Sequence, residues 1–231
     1  AARHRSEMKL RQFVADASHE LRNPLAAIRG YAELTRRGGD DLPGDTGRAL
    51  SRIESESDRM SVLVDDLLLL ARLDAEPALA VEPTDVTQIV LDAVEDARAA
   101  GADHGWELDL PQDALQAMAD PHRLYQVVAN LLANARVHTP AGTRVVTSLR
   151  RDGDQVVIRV HDNGPGVPPE IRDRVFERFT RADASRVRNQ AGSSTGLGLA
   201  IVAAVVGALH GTVGVESAPG DTTFTVRLPA A

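Results

Sequence analysis

A helical hairpin followed by an α+β two-layer sandwich is the fold class this 231-residue sequence predicts. Three observations carry it. Leu50, Ile53, Ser57, Met60, Val64, Leu67 and Ala71 recur at alternating spacings of three and four, a heptad seam with one polar break at Ser57. Upstream, Leu10, Val14, Ala17, Leu21, Pro24, Ile28 and Tyr31 follow a similar helical stripe, and the stretch between the two runs, Arg37 to Asp45, is dense in turn residues. From about residue 84 onward, strand-like alternation and helical periodicity are interleaved, which suits helices packed on a sheet of antiparallel strands.

Taken in order, the hairpin helices are expected at roughly 5–37 and 47–74, in a first domain spanning 1–75. Two helices cannot enclose a core, so dimerisation into a four-helix bundle is the natural way to bury both seams. Pro24 lacks a backbone donor and should bend the first helix near residues 20–23. A linker is expected over 76–83, and a second domain over 84–231. There Val86–Ala100 reads as a helix capped by Thr84 or Asp85, and Trp106–Leu110 as a strand. Pro121–Val137 reads as a helix with Asp120 as its cap and Pro121 in its first turn. Arg144–Leu149 and Gln155–Val160 are strands around the turn Asp152-Gly-Asp154. Leu197–Leu209 is an apolar helix, and Thr212–Glu216 with Thr223–Arg227 form a closing hairpin around Pro219-Gly220.

The chain is acidic, with 33 Asp and Glu against 26 Lys and Arg and a formal charge of −7. It has no basic tract, which argues against a nucleic-acid partner. There is no cysteine, so disulfides and thiolate metal sites are excluded. The longest uncharged apolar run, Leu197–Leu209, falls short of the ~20 residues that cross a bilayer, so the chain as given is expected to be soluble, and the absence of cysteine fits a reducing compartment.

The chemistry-bearing residues begin with Ser18-His-Glu-Leu-Arg-Asn-Pro-Leu25. His19 lies two residues from the seam positions Ala17 and Leu21, so at 100° per residue it faces away from the seam; Asn23, four residues on, shares its face. An imidazole is a good nucleophile and the adjacent Glu20 can take its proton. Read alone, an exposed histidine beside a glutamate fits surface decoration at least as well. The unbroken order from His19 to Leu25, however, resembles the phosphoacceptor motif of the sensor histidine kinases of two-component systems. That resemblance implies that His19 receives a phosphoryl group from ATP, that Glu20 is the general base, and that Asn23 orients a water for dephosphorylating the partner protein.

Four further stretches resemble the nucleotide-binding boxes of the same family, in the same order. Asn130-Leu-Leu-Ala-Asn134 puts two amides four residues apart on one helix face, similar to the N box; the resemblance makes Asn134 a Mg²⁺ ligand beside the substrate phosphates. The family often has Lys and then an aromatic residue after this box, where this chain has Val137 and His138, and Arg136 is the nearest base that could substitute. Asp162-Asn-Gly164-Pro-Gly166 resembles the G1 box, implying an adenine acceptor at Asp162 and close backbone approach at Gly164 and Gly166. Val175–Arg181 resembles the F box, with Arg181 as the candidate contact to the γ-phosphate. Thr195-Gly196-Leu197-Gly198-Leu199 resembles the G2 box at a helix N-terminus, where unpaired N–H groups attract phosphate; Ser193 and Ser194 stand where the family often has glycines. Ala182–Ser194, polar and without periodicity, is expected to be a lid.

Together these resemblances imply the dimerisation and catalytic core of a sensor histidine kinase. The expected partners are ATP, Mg²⁺, a second copy of the chain and a response-regulator receiver domain, with the full-length protein anchored at a bacterial cell membrane. Competing readings are an ATPase of the gyrase, chaperone or mismatch-repair type, and a catalytically weak scaffold. The complete His19–Leu25 motif on a heptad hairpin disfavours the first.

Overall fold

The computed structural model describes residues 25, 28, 30–32, 43–75, 79–180 and 196–231, with 43–49, 51 and 75 described as backbone only. The chain divides into two compact units, Ala1–Leu69 and Leu70–Ala231.

In the first unit, Leu25, Ile28, Gly30, Tyr31 and Ala32 are each helical. A long helix, α1, runs Pro43–Ala75. It starts inside the stretch expected to be a turn, because proline lacks only a donor that the first helical turn leaves unpaired. Of the expected seam Leu67 is buried while Leu50 and Val64 are exposed, and the apolar residues around them fall on two faces. Leu63, Leu67 and Leu70 are buried, while Leu50 and Val64 expose 49% and 40% of their surface and Leu68 is exposed with them. At 100° per residue these apolar faces stand about 100° apart. The last turn of α1 belongs with the second unit: Arg178 donates through Nη2 to Asp74 Oδ2 at 2.7 Å.

The second unit contains β1 (Glu82–Asp85), α2 (Val86–Ala100), β2 (Gly105–Asp109), β3 (Gln116–Ala119), α3 (Pro121–His138), β4 (Arg144–Asp152), β5 (Gln155–Asp162), α4 (Pro169–Arg172), α5 (Gly198–Ala208), β6 (Thr212–Ala218) and β7 (Asp221–Pro229). Asp85 caps α2 by accepting from the Gln88 N–H, and Asp120 caps α3 by accepting from the Arg123 N–H, with Pro121 in the first turn. Five strands form one mixed sheet in the order β2-β4-β5-β7-β6. The expectation of antiparallel strands fails at its edge: β2 runs parallel to β4, because β3 and α3 intervene and carry the chain back to the same end. The expected linker also ends earlier than residue 83. Glu82 and Pro83 belong to β1, which pairs with β3 in a separate two-stranded sheet. The four-residue elements β3 and α4 were too short to leave a periodic signature.

Alternation decides which sheet face is covered. The registers align Leu149 with Ile158 and Val226, Thr147 with Val160 and Phe224, and Val145 with Asp162 and Thr222. All nine are buried. α2 packs on α3 and α3 on α5; α5 buries Ala200, Ile201, Val202, Val205 and Val206. Among the described residues no helix is long and apolar enough to cross a membrane.

Thr147 is the flaw in this core, since its Oγ1 is buried without a hydrogen-bond partner. Valine fills nearly the same shape without a hydroxyl to desolvate. Thr147→Val should therefore raise stability by about 1 kcal/mol, read as a higher urea midpoint at unchanged m-value.

Candidate nucleotide-binding site

β5 delivers Asp162 as its last residue, in phase with the apolar row of Val156, Ile158 and Val160. That phase carries a carboxylate into the covered side of the sheet, where Asp162 is 4% exposed. Burial pushes its pKa above the ordinary aspartate range, and the Gly164 N–H and nearby His161 oppose the rise in part. Oδ1 accepts from the Gly164 N–H at 2.9 Å. A carboxylate has several acceptor directions, so this bond leaves capacity for a donor on a ligand.

The glycines after Asp162 are required by what surrounds them. A Cβ on Gly164 would lie 2.5 Å from Thr139 Cγ2 and 2.8 Å from Asp162 Oδ1. Gly166 has φ +88, and a Cβ there would lie 3.0 Å from the Ala218 carbonyl. The loop is pinned to the β6–β7 hairpin. Gly220 N–H donates to Gly164 O at 2.8 Å, and Val167 N–H donates to Ser217 Oγ at 2.8 Å. Ser217 Oγ is in turn 2.8 Å from Thr222 Oγ1.

α3 joins this loop to the second part of the site. Asn130 donates through Nδ2 to the Gly198 carbonyl at 3.3 Å. Asn134 is half-buried one turn further along the same face, and Thr139 caps the helix against Gly164. Nine residues of helix separate Asn130 from Thr139, so α5 and the Asp162 loop meet α3 at points roughly 13 Å apart. Leu197, the N-cap residue of α5, makes no side-chain cap bond, and the first turn of α5 holds no acidic residue. Its leading N–H groups have no intrahelical acceptor and carry the positive end of the helix dipole. A buried acceptor at one end and an Asn130-tethered helix start, with its positive dipole end, at the other suit a nucleotide laid along α3.

The structure thus brings together Asn130, Asn134, Asp162, Gly164, Gly166 and Gly198. Gly196 precedes α5, and its carbonyl accepts from Phe179 N–H at 2.9 Å. Leu197 is fully buried. Phe176 packs edge-on against Phe224, with ring centroids 6.2 Å apart. Arg136 does not stand in for the missing lysine: its Cδ lies 2.7 Å from where a Gly101 Cβ would be, at the C-terminus of α2. It sits two residues beyond Asn134, some 200° around the helix. His138, four residues beyond Asn134, shares the Asn134 face and is exposed. His19, Glu20, Asn23, Arg181, Ser193 and Ser194 lie outside the described residues, as does the expected lid over 182–194.

Sequence reasoning missed Thr222 and Thr139. Thr222 sits in phase with Phe224, Val226 and Leu228, so a polar residue opening an apolar alternation was its only signal. Thr139 left no signal beyond its place after α3.

Comparison with known proteins agrees with this geometry. Residues 9–76 match the family described as His Kinase A (phospho-acceptor) domain. Residues 119–231 match the family described as Histidine kinase-, DNA gyrase B-, and HSP90-like ATPase. TcrY of Mycobacterium tuberculosis, described as a probable sensor histidine kinase, is 58% identical over 99% of this chain and 48% of its own length. The sensor histidine kinase TrcS of the same organism is 49% identical over 97% of this chain and 44% of its own length. The chain therefore spans about half the length of these curated relatives. Among solved structures, the mycobacterial sensor histidine kinase MprB is 34% identical, covering 64% of this chain and 98% of that one, with a TM-score of 0.57. The Acinetobacter baumannii histidine kinase AdeS is 28% identical, covering 91% of this chain and 97% of that one, with a TM-score of 0.68. With both family matches in tandem and these relatives spanning them, the chain belongs to the sensor histidine kinases of two-component systems.

Proposed function

We propose that this chain binds ATP with Mg²⁺ along α3, transfers the γ-phosphoryl group to His19, and passes it on to an aspartate of a response-regulator receiver domain. The observation that carries the proposal is the buried Asp162 carboxylate, held by the glycine loop at the far end of α3 from the start of α5. Asp162 would accept from the adenine amino group, with Gly164 and Gly166 letting the base approach. The N–H groups at Gly196, Leu197 and Gly198, with Asn130, would meet the phosphates, and Arg181 the γ-phosphate. Among the described residues no cluster of three or more His, Asp or Glu could hold a metal. A divalent ion would therefore draw most of its oxygens from phosphate, with Asn134 supplying an amide oxygen. When bound, Mg²⁺ neutralises phosphate charge during transfer.

The chain's own part in the transfer is nucleophilic. The ring nitrogen of His19 attacks the γ-phosphorus, the bond to the β-phosphate oxygen breaks, and Glu20 accepts the ring proton. The phosphohistidine is then attacked by the regulator's aspartate. Asn23, on the His19 face, would orient the water that later removes phosphate from that aspartate. The two apolar faces of α1 support a homodimer, in which the exposed Leu50, Val64 and Leu68 would be covered by a second copy. The domain organisation proposed is a phosphoacceptor hairpin over 1–75 and an ATP-binding domain that begins with β1 at Glu82 and runs to Ala231. The full-length protein is proposed to be membrane-anchored.

Two tests follow. His19→Gln, incubated with γ-labelled Mg·ATP, should lose all acid-labile, base-stable protein label while ATP titrates as in the wild type; persistent label places the acceptor elsewhere. Asp162→Asn should weaken ATP by tenfold or more, about the worth of one charge-assisted hydrogen bond. The same contact sets a pH dependence. An adenine donor favours ionised Asp162, so affinity should fall as pH drops through the raised Asp162 pKa, beginning at higher pH than for an ordinary aspartate. Calorimetric ATP titrations across pH should show that acid limb in the wild type and lose it in Asp162→Asn.

A further inference from the structure

We infer that His104 and Thr139 are positioning residues that aim the Asp162 carboxylate at the nucleotide base, an inference that rests on the nucleotide reading above. His104 lies in the turn between α2 and β2, and its side chain is only 2% exposed. Both ring nitrogens are engaged. Nδ1 is 2.9 Å from Asp103 Oδ1, and Nε2 is 3.0 Å from Thr139 Oγ1. A carboxylate only accepts, so Nδ1 carries a proton and the ring is oriented from the Asp103 side. The Thr139 hydroxyl has one hydrogen, shared between two acceptors that flank its oxygen, the unprotonated Nε2 and the Ala135 carbonyl at 2.7 Å. With its oxygen fixed between ring and helix, the Thr139 side chain has one rotamer open to it, and that rotamer aims its methyl at Gly164.

Gly164 is the shared neighbour. The point where its Cβ would lie is 2.5 Å from Thr139 Cγ2 and 2.8 Å from Asp162 Oδ1. Its N–H is the donor that Asp162 Oδ1 accepts. A contiguous line of contacts therefore runs Asp103, His104, Thr139, Gly164, Asp162. It joins the corner before β2 to the base-reading end of the site, and His104 and Thr139 touch no ligand themselves. If the methyl shifts, Gly164 shifts, and the direction of the carboxylate shifts with it. The property exposed to this is discrimination between bases. Adenine presents an amino donor to a carboxylate, and guanine presents a carbonyl at the corresponding position.

Two substitutions separate the parts of Thr139. Thr139→Val keeps a methyl of the right shape but removes the hydroxyl gripped by His104. Thr139→Ser keeps the hydroxyl but removes the methyl that meets Gly164. Each variant of the 231-residue chain is titrated with Mg·ATP and with Mg·GTP, and its melting temperature is taken without nucleotide. Ile158→Val, a core truncation away from this line, serves as the control for simple destabilisation. Both Thr139 variants should lower the ratio of ATP to GTP affinity about three- to tenfold, the worth of one displaced hydrogen bond. Ile158→Val should lower the melting temperature and leave the ratio unchanged. Wild-type ratios in both Thr139 variants, or equal losses for the two nucleotides, would overturn the inference. A wild-type chain that binds neither nucleotide would instead overturn the nucleotide reading, and this inference with it.

Discussion

The second unit depends on the two-residue alternation of β5. Val156, Ile158 and Val160 form a buried row on the side of the sheet that the helices cover. The same parity forces Asp162 to the same side at the strand's end, in register with Val145 and Thr222. A carboxylate there is desolvated as a consequence of packing the hydrocarbon residues before it. A slip of one residue would move the whole row to the opposite face. The fold and the placement of the acceptor are thus one constraint.

α3 turns that acceptor into a site with two ends. Its buried face, from Leu124 to Ala135, fixes the helix between α2 and α5. Asn130, Asn134 and Thr139 then fall where packing puts them, against Gly198 at one end and Gly164 at the other. Helical rise sets the distance between those ends, so their spacing is inherited from a rigid element. The loops contribute close approach: Gly164 and Gly166 leave no room for side chains where the backbone meets Thr139 and the β6–β7 turn.

Much of this was legible in the sequence, for physical reasons. α2 and α3 carry strong periodicity, with Asp85, Asp120 and Pro121 as capping residues in their usual places, and α5 is a continuous apolar run, so those elements were readable. β7 alternates cleanly, and β4 and β5 are runs rich in valine on either side of the Asp152-Gly-Asp154 turn. The pairing of β1 with β3 was not readable, because two four-residue strands leave too few residues to show a period. The parallel edge at β2 was hidden because alternation is the same for either strand direction. Composition alone did not divide α1 into two apolar faces; burial did. At the site, Asn130, Asn134 and Asp162 were visible as spaced polar residues. His104 and Thr139 were not, since their link spans 35 residues and is made by side chains that meet only in the folded chain.

The central claim is that Asp162 is a buried acceptor waiting for a base. Its carboxyl carbon can be followed by NMR during a pH titration, with and without Mg·ATP. Free, Asp162 should titrate above the ordinary aspartate range, and nucleotide should bring its titration back down, because an amino donor favours the ionised form. An Asp162 that titrates like a surface aspartate and does not respond to nucleotide would contradict the account.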